Sequence, residues 1–160
     1  MPEFLELTVD KFTFKVATDR YYHSEGVWAQ AEASSLPLGE EGPGVRVRIG
    51  LSDFLQQRSG DVAFVEVEPE GAVLAFDDEL AVIETIKADV SLASPVAGKV
   101  VEVNPAMETA PEVINQDPYG EGWLAVIEAS DWESDRARLL DAQAYFFEMK
   151  REAEEEAKKL

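Results

Sequence analysis

The chain has 160 residues, enough for one domain with a packed core: 46% are hydrophobic, including eight Phe, four Tyr and three Trp, a content that argues against disorder. Its 14 basic and 33 acidic side chains give a net charge of 14 − 33 = −19, which disfavours nucleic acid and anionic membrane surfaces as partners and either steers proteins with basic docking faces or simply keeps the chain soluble. It has no cysteine, which excludes disulfides, thiol nucleophiles, iron–sulfur clusters and thiolate zinc sites.

In chain order, residues 4–16 alternate loosely, with Phe12, Phe14 and Val16 against Lys11, Thr13 and Lys15, and predict a strand. Residues 21–31 form a second candidate strand around Trp28. Residues 32–44, rich in Ser, Pro, Gly and Glu, predict an exposed loop. Val45-Arg46-Val47-Arg48-Ile49 is a clean alternating strand that Gly50 is expected to end. Ser52 or Asp53 can then cap a short helix over residues 54–57, closed by Gly60. Residues 63–67 predict a strand and Pro69-Glu70-Gly71 a turn. Residues 80–86 and 90–93 predict two strands around Lys87, and residues 99–103 one more. A short helix opening on Pro111 precedes the turn-rich Asp117-Pro118-Tyr119-Gly120-Glu121-Gly122, which leads into a strand at 123–127. From 131 to 160 the apolar residues recur at helical spacing, through Trp132, Leu139, Leu140, Phe146 and Met149, ending in a charged tail from 151 expected to be a solvated helix end or frayed. Many short strands with one C-terminal helix suggest a small β-sandwich or open barrel.

The start of the chain has no basic segment followed by an apolar one, so no secretory signal is expected. No apolar run approaches the roughly 20 residues of a membrane-spanning helix. A reducing cytoplasm suits a chain without cysteine.

One lysine is framed unlike the others. Lys87 sits between two β-rich runs, bounded outside by Pro69-Glu70-Gly71 and by Pro95-Val96-Ala97-Gly98. That layout places its amine at the tip of a hairpin, exposed on a rigid base, as both a modifying enzyme and a swinging cofactor arm require. The alternative is an ordinary hairpin-tip lysine on a fold that has lost its modification. Glu84 reads either as a recognition element for the modifying enzyme or as a solvent-facing strand residue. Gly71 and Gly98 read as turn geometry. His23 could act as a general base, but no Ser or Asp is patterned around it, and a surface or packing role is preferred. Asp117 to Glu121 lacks the ligand spacing of a calcium loop, and the Glu152-to-Glu155 run reads as a solvated helix face. No nucleophile–base pair, phosphate-binding glycine loop or metal cluster points to an independent enzyme.

Glu84-Thr85-Ile86-Lys87-Ala88, followed by Ser94-Pro95-Val96-Ala97-Gly98-Lys99-Val100-Val101-Glu102-Val103-Asn104, resembles the lipoyl-attachment region of the glycine cleavage system H protein family. Further matches lie in Ile49-Gly50-Leu51-Ser52-Asp53-Phe54, in residues 60–67, in Pro111-Glu112-Val113-Ile114-Asn115-Gln116-Asp117-Pro118-Tyr119-Gly120-Glu121-Gly122-Trp123-Leu124, and in Leu139-Leu140-Asp141-Ala142-Gln143-Ala144-Tyr145. The resemblance spans roughly residues 20–146. It implies a mainly β fold, the lipoyl/biotinyl-type barrel-sandwich hybrid of two small antiparallel sheets, with short helices and a C-terminal helix. The carrier domain would cover residues 20–130, after an N-terminal extension at 1–19 and before a C-terminal helix and charged tail at 131–160.

The resemblance also implies a cofactor and partners. Lipoate would be joined in an amide to Lys87 by a lipoate ligase or transferase. The arm would accept an aminomethyl group from a pyridoxal-phosphate glycine decarboxylase and pass it to an aminomethyltransferase. A dihydrolipoyl dehydrogenase would then reoxidise it. The chain itself would be a carrier, not an enzyme, and one that visits several partners is expected to be a monomer. Gly26 stands where the family usually has a histidine, the 32–44 loop is long, and Asp89-Val90-Ser91-Leu92 departs from the family pattern after the lysine. Two alternatives therefore stay open: an H-like lipoyl carrier of another pathway, such as sulfur oxidation, and an unmodified interaction module. A biotinyl carrier is disfavoured, because biotin sites flank the lysine with Met and here Ile86 and Ala88 stand there.

Overall fold

A computed structural model describes residues 3–32 and 45–158. Most of the sequence-expected 32–44 loop therefore lies outside the described residues. The chain runs β1 (Phe4–Val9), β2 (Phe12–Ala17), β3 (Tyr21–Tyr22), β4 (Val27–Ala31), β5 (Val45–Leu51), α1 (Asp53–Ser59), β6 (Val62–Val67), β7 (Val73–Leu74), β8 (Glu79–Thr85), β9 (Asp89–Ala93), β10 (Gly98–Val103), α2 (Ala106–Thr109), α3 (Val113–Gln116), β11 (Ala125–Ala129), α4 (Trp132–Arg138) and α5 (Ala142–Lys158).

Two antiparallel sheets form the body, as expected. One has six strands in the order β3-β4-β5-β11-β10-β7, and the other three in the order β6-β8-β9. Their facing side chains make the main core: Val47, Ile49, Ala125 and Ile127 from the first sheet meet Val62, Leu80, Ile83 and Leu92 from the second. A second core lies between β2, Trp28, Val126 and α5, through Phe14, Val16, Tyr22, Tyr145 and Met149. Tyr22 and Tyr145 stack with ring centroids 4.5 Å apart, and the Trp28 indole N–H donates to the Pro118 carbonyl at 3.0 Å. Among the described residues, no helix is long and apolar enough to cross a membrane.

Several local expectations are corrected. The run at 4–16 is a hairpin rather than one strand: β1 and β2 pair in register from Phe4↔Ala17 to Val9↔Phe12, and Asp10 makes the turn at φ 54°. The candidate strand at 21–31 is likewise split into β3 and β4, paired Tyr21↔Ala29. Gly50 does not end β5, which runs on to Leu51. It instead lies against Trp28, whose Cζ2 is 2.6 Å from the point where a Cβ would stand, so the ring occupies the space a side chain would need. The strand expected at 123–127 begins two residues later, at Ala125.

The C-terminal helix is two helices. Leu140 exchanges both backbone hydrogen bonds with Tyr22, each at 2.8 Å, and this bridge pulls residues 139–141 out of the helical path. Leu139 then enters the main core and Leu140 packs on the second. The helical spacing persists across the break because both sides face apolar surface. Asp141 restarts the helix by accepting the Ala144 N–H at 2.8 Å. Residues 151–158 are helical and not frayed. Ala153 is buried, and Arg58 of α1 reaches Glu152 at 3.6 Å and Glu156 at 3.1 Å.

Candidate functional site

Lys87 lies in the middle of the three-residue segment Ile86-Lys87-Ala88 between β8 and β9. The hairpin is held in register by Ile83↔Val90 and Glu84↔Asp89 and closed by the Thr85 N–H donating to the Ala88 carbonyl at 3.0 Å. The Thr85 side chain makes the loop rigid. Its hydroxyl donates to the Ala88 carbonyl at 2.9 Å and accepts the backbone N–H groups of Lys87 and Ala88, each at 3.2 Å. One side chain thus satisfies two backbone N–H groups that an exposed tip would leave to water and adds a second bond to the Ala88 carbonyl. Lys87 is exposed, and Ile86 beside it is 88% exposed.

A firm floor lies beneath the loop. Ser52 caps α1 by accepting the Leu55 N–H. Gly60 ends that helix at φ 91°, ψ −171°, a region that essentially only glycine adopts. The Lys87 stem runs over this glycine: its Cε, Cδ and Nζ lie 3.6, 3.8 and 3.9 Å from where a Cβ on Gly60 would be. Asn115 of α3 ties the floor together. Its carbonyl accepts the Val62 N–H at 2.9 Å, and its amide donates to Gln56 and to the Gly60 carbonyl, each at 3.0 Å.

Among the described residues, no ion pair engages the Lys87 amine. Glu84 and Asp89, paired just below the loop, and Asp61, next to Gly60, are all exposed and form an acidic collar below the tip. Burial raises the Glu152 carboxyl above its ordinary value, with the Arg58 guanidinium opposing that shift.

Glu84 is exposed on β8. Gly71 stands in open space, whereas a Cβ on Gly98 would fall 2.1 Å from the Glu128 carbonyl oxygen. Both shape the chain path and touch no reactive group. His23 is held in a turn: Nε2 meets Asp77 Oδ1 at 2.5 Å, and Nδ1 accepts the Glu25 N–H at 3.1 Å. Asp117 makes the expected turn, accepting the Glu121 N–H at 2.9 Å. Among the described residues, no cluster of His, Asp or Glu is arranged to hold a metal ion.

Gly60 closes α1 as the sequence suggests, whereas the sequence alone assigns no role to Thr85 or Asn115. A threonine two residues before the tip is a legible side-chain turn signal. The role of Asn115, bonded to partners 53 to 59 residues away, is not visible without the fold.

Comparison with known proteins agrees with this geometry. Residues 20–152 match the family model described as glycine cleavage H-protein. The chain is 39% identical over 130 residues to the glycine cleavage system H protein of Thermus thermophilus, covering 81% of this chain and 92% of the relative. It is 41% identical over 135 residues to a probable glycine cleavage system H protein of Natronomonas pharaonis, covering 83% and 95%. A crystal structure of a glycine cleavage system H protein from Mycobacterium marinum superposes with a TM-score of 0.66 at 29% identity, covering 80% of this chain and 94% of that one. With the two facing sheets and the exposed hairpin lysine, these matches show that the chain belongs to the glycine cleavage H-protein family.

Proposed function

We propose that the chain is the lipoyl carrier of a glycine cleavage system, with lipoate held in an amide on Nζ of Lys87. The observation that carries this reading is the placement of Lys87: an exposed amine, with no ion pair among the described residues, on a hairpin tip that Thr85 locks, in a chain of the H-protein family. The residues fit the group. The amine is exposed, and its stem passes over the bare backbone of Gly60.

When bound, the lipoyl group supplies a reversible disulfide for sulfur and two-electron chemistry. The chain's own residues position and present it. Thr85 and the β8–β9 ladder keep the arm's base still, so its reach is set by the arm alone. Tethering raises the arm's local concentration at a docked partner. The acidic collar and the net charge of −19 attract partners with basic faces and speed encounter.

In this reading the chain takes an aminomethyl group from a pyridoxal-phosphate glycine decarboxylase, presents it to an aminomethyltransferase, and is reset by dihydrolipoyl dehydrogenase. A lipoate ligase or transferase loads it first. It acts as a monomeric carrier in the cytoplasm and is not an enzyme in its own right.

The test is intact mass spectrometry of chain made with lipoate and a lipoate ligase. One lipoyl group should be added, and Lys87→Arg should abolish the addition. A bare mass, or a modification that survives Lys87→Arg, overturns the reading. The loaded chain should then support glycine–bicarbonate exchange by the decarboxylase. Exchange no higher than in a control without carrier reassigns it to an H-like carrier of another pathway.

A further inference from the structure

The β1–β2 hairpin lies outside residues 20–152, so it is an addition to the body that the family model matches. Its tip stands beside Lys87: Val9, Asp10 and Phe12 line one cleft of about 500 Å³ together with that lysine. Phe12 is 55% exposed, and Ile86, next to the lysine in the chain, is more exposed still. Large apolar side chains from two separate hairpins therefore border the surface around one amine.

Phe12 is held in place. Its ring stacks on that of Phe14, with centroids 6.3 Å apart and planes 19° apart, and the buried Phe14 meets Phe54 of α1 edge-on at 5.1 Å. The hairpin is pinned to α1 twice, by the Lys15 N–H donating to Asp53 at 2.9 Å and by the Gln57 amide donating to the Thr13 carbonyl at 2.9 Å. The Tyr119 hydroxyl adds a third tie by donating to the Lys15 carbonyl at 2.7 Å. An aromatic ring fixed in this way gives up little freedom when a partner covers it, and covering it removes apolar surface from water. The surface around it is acidic. Asp10 and Asp61 are exposed, and Glu156 lines the cleft, where Arg58 pairs with it at 3.1 Å.

We infer that the tip of the β1–β2 hairpin, through Phe12, is a recognition element for the enzyme that acylates Lys87. The inference rests on the assignment of lipoate to Lys87 made above. Acylation happens at Nζ itself. That nitrogen bonds the carbonyl carbon of an activated lipoyl donor, the donor's leaving group departs with its bonding pair, and the amine gives up a proton. The enzyme must therefore close over the base of the arm. A standard interface covers about 800 Å² of each partner, so a protein seated on the lysine also covers the hairpin tip that shares its cleft. Enzymes that act on the far end of a loaded arm need no such approach, which singles out the loading enzyme. The complementary surface is an apolar socket for Phe12 beside one for Ile86, rimmed by Lys and Arg side chains that meet Asp10, Asp61 and the acidic collar.

The test measures loading of the full-length chain by its cognate lipoate ligase, with lipoate and ATP, for the parent, Phe12→Ala, Phe12→Leu and Val73→Ala. In parallel, a small acylating reagent (the N-hydroxysuccinimide ester of acetate) modifies Lys87 without any enzyme, and peptide mass spectrometry reads that rate. Phe12→Ala should lower kcat/KM for loading about tenfold, chiefly by raising KM, and leave the small-reagent rate unchanged. Phe12→Leu should recover most of the loss. Val73→Ala removes a 76% exposed apolar side chain that does not line the cleft and should load like the parent. Parent-like loading of Phe12→Ala overturns the inference, as does equal slowing by Val73→Ala. A loss in Phe12→Ala matched by an equal fall in its small-reagent rate also overturns it, because the substitution then acts by disturbing the Lys87 tip. A parent chain that stays at its bare mass overturns the lipoyl reading as well.

Discussion

The stem of Lys87 crosses Gly60 with its Cε 3.6 Å from the position of an absent Cβ. That spacing is ordinary van der Waals contact, so added bulk at Gly60 touches the lysine without displacing it. The backbone is less tolerant, because φ 91° with ψ −171° strains any L side chain. Gly60→Ala should therefore lower stability by about 1–3 kcal/mol and leave lipoylation of Lys87 unimpaired in the folded protein. Urea unfolding with mass-spectrometric loading assays separates the two effects. Lost loading in a fully folded variant would contradict the geometry.

Thr85 is the organiser of the tip. Thr85→Val removes one donated and two accepted hydrogen bonds at the loop while keeping the β-branched shape. Loss of about 1 kcal/mol of preorganisation should slow enzymatic lipoylation several-fold with little change in overall unfolding. Thr85→Ser should restore the rate. Amide hydrogen exchange at Lys87 and Ala88 should rise in the Val variant alone.

Asp135 anchors α4 to the turn before β10. It is 1% exposed, accepts the Ala97 N–H at 2.7 Å and pairs with Arg138. Asp135→Ala leaves that N–H without its partner and should cost about 1–3 kcal/mol. Asp135→Asn keeps an acceptor and should cost less. Denaturant midpoints give the order, and faster exchange of the Ala97 amide in the Ala variant identifies the cause.

The tyrosines set the alkaline limit. Burial raises the Tyr119 phenol from 10.0 to about 12 and pushes those of Tyr22 and Tyr145 up as well. Between pH 10 and 12 the folded chain holds protons that the unfolded chain has released. Stability is therefore fully present below pH 10 and falls as pH rises through that window. Tyr119→Phe removes one such proton, and its unfolding midpoint should decline less steeply across the window. Identical slopes for parent and variant would refute the assignment.

The Lys87 hairpin and the facing sheets were legible in the sequence because their signals are local. Alternation in 45–49 and 63–67 reports one buried and one exposed face, and turn residues bracket the Lys87 runs. Where local pattern competed with distant contacts, the distant contacts decided. The spacing of Leu139 and Leu140 fits a continuous helix, yet their backbone is taken by Tyr22, more than a hundred residues earlier in the chain. Gly50 looks like a strand terminator until Trp28 is seen to need its space. The charged segment from 151 looks like a solvent tail until Arg58 and the β1–β2 hairpin are placed against it.

The sequence by itself determined the lysine, its flanking strands and the family to which the chain belongs, since these depend on residues close together or in a recognisable order. Only the tertiary structure decided that Thr85 locks the tip, that Gly60 and Asn115 form its floor, and that the two ends of the chain meet in an apolar cleft beside Lys87. Periodicity records which face of a segment avoids water, but not which distant segment covers that face. Val9 and Ala157 are brought to one cleft by packing alone.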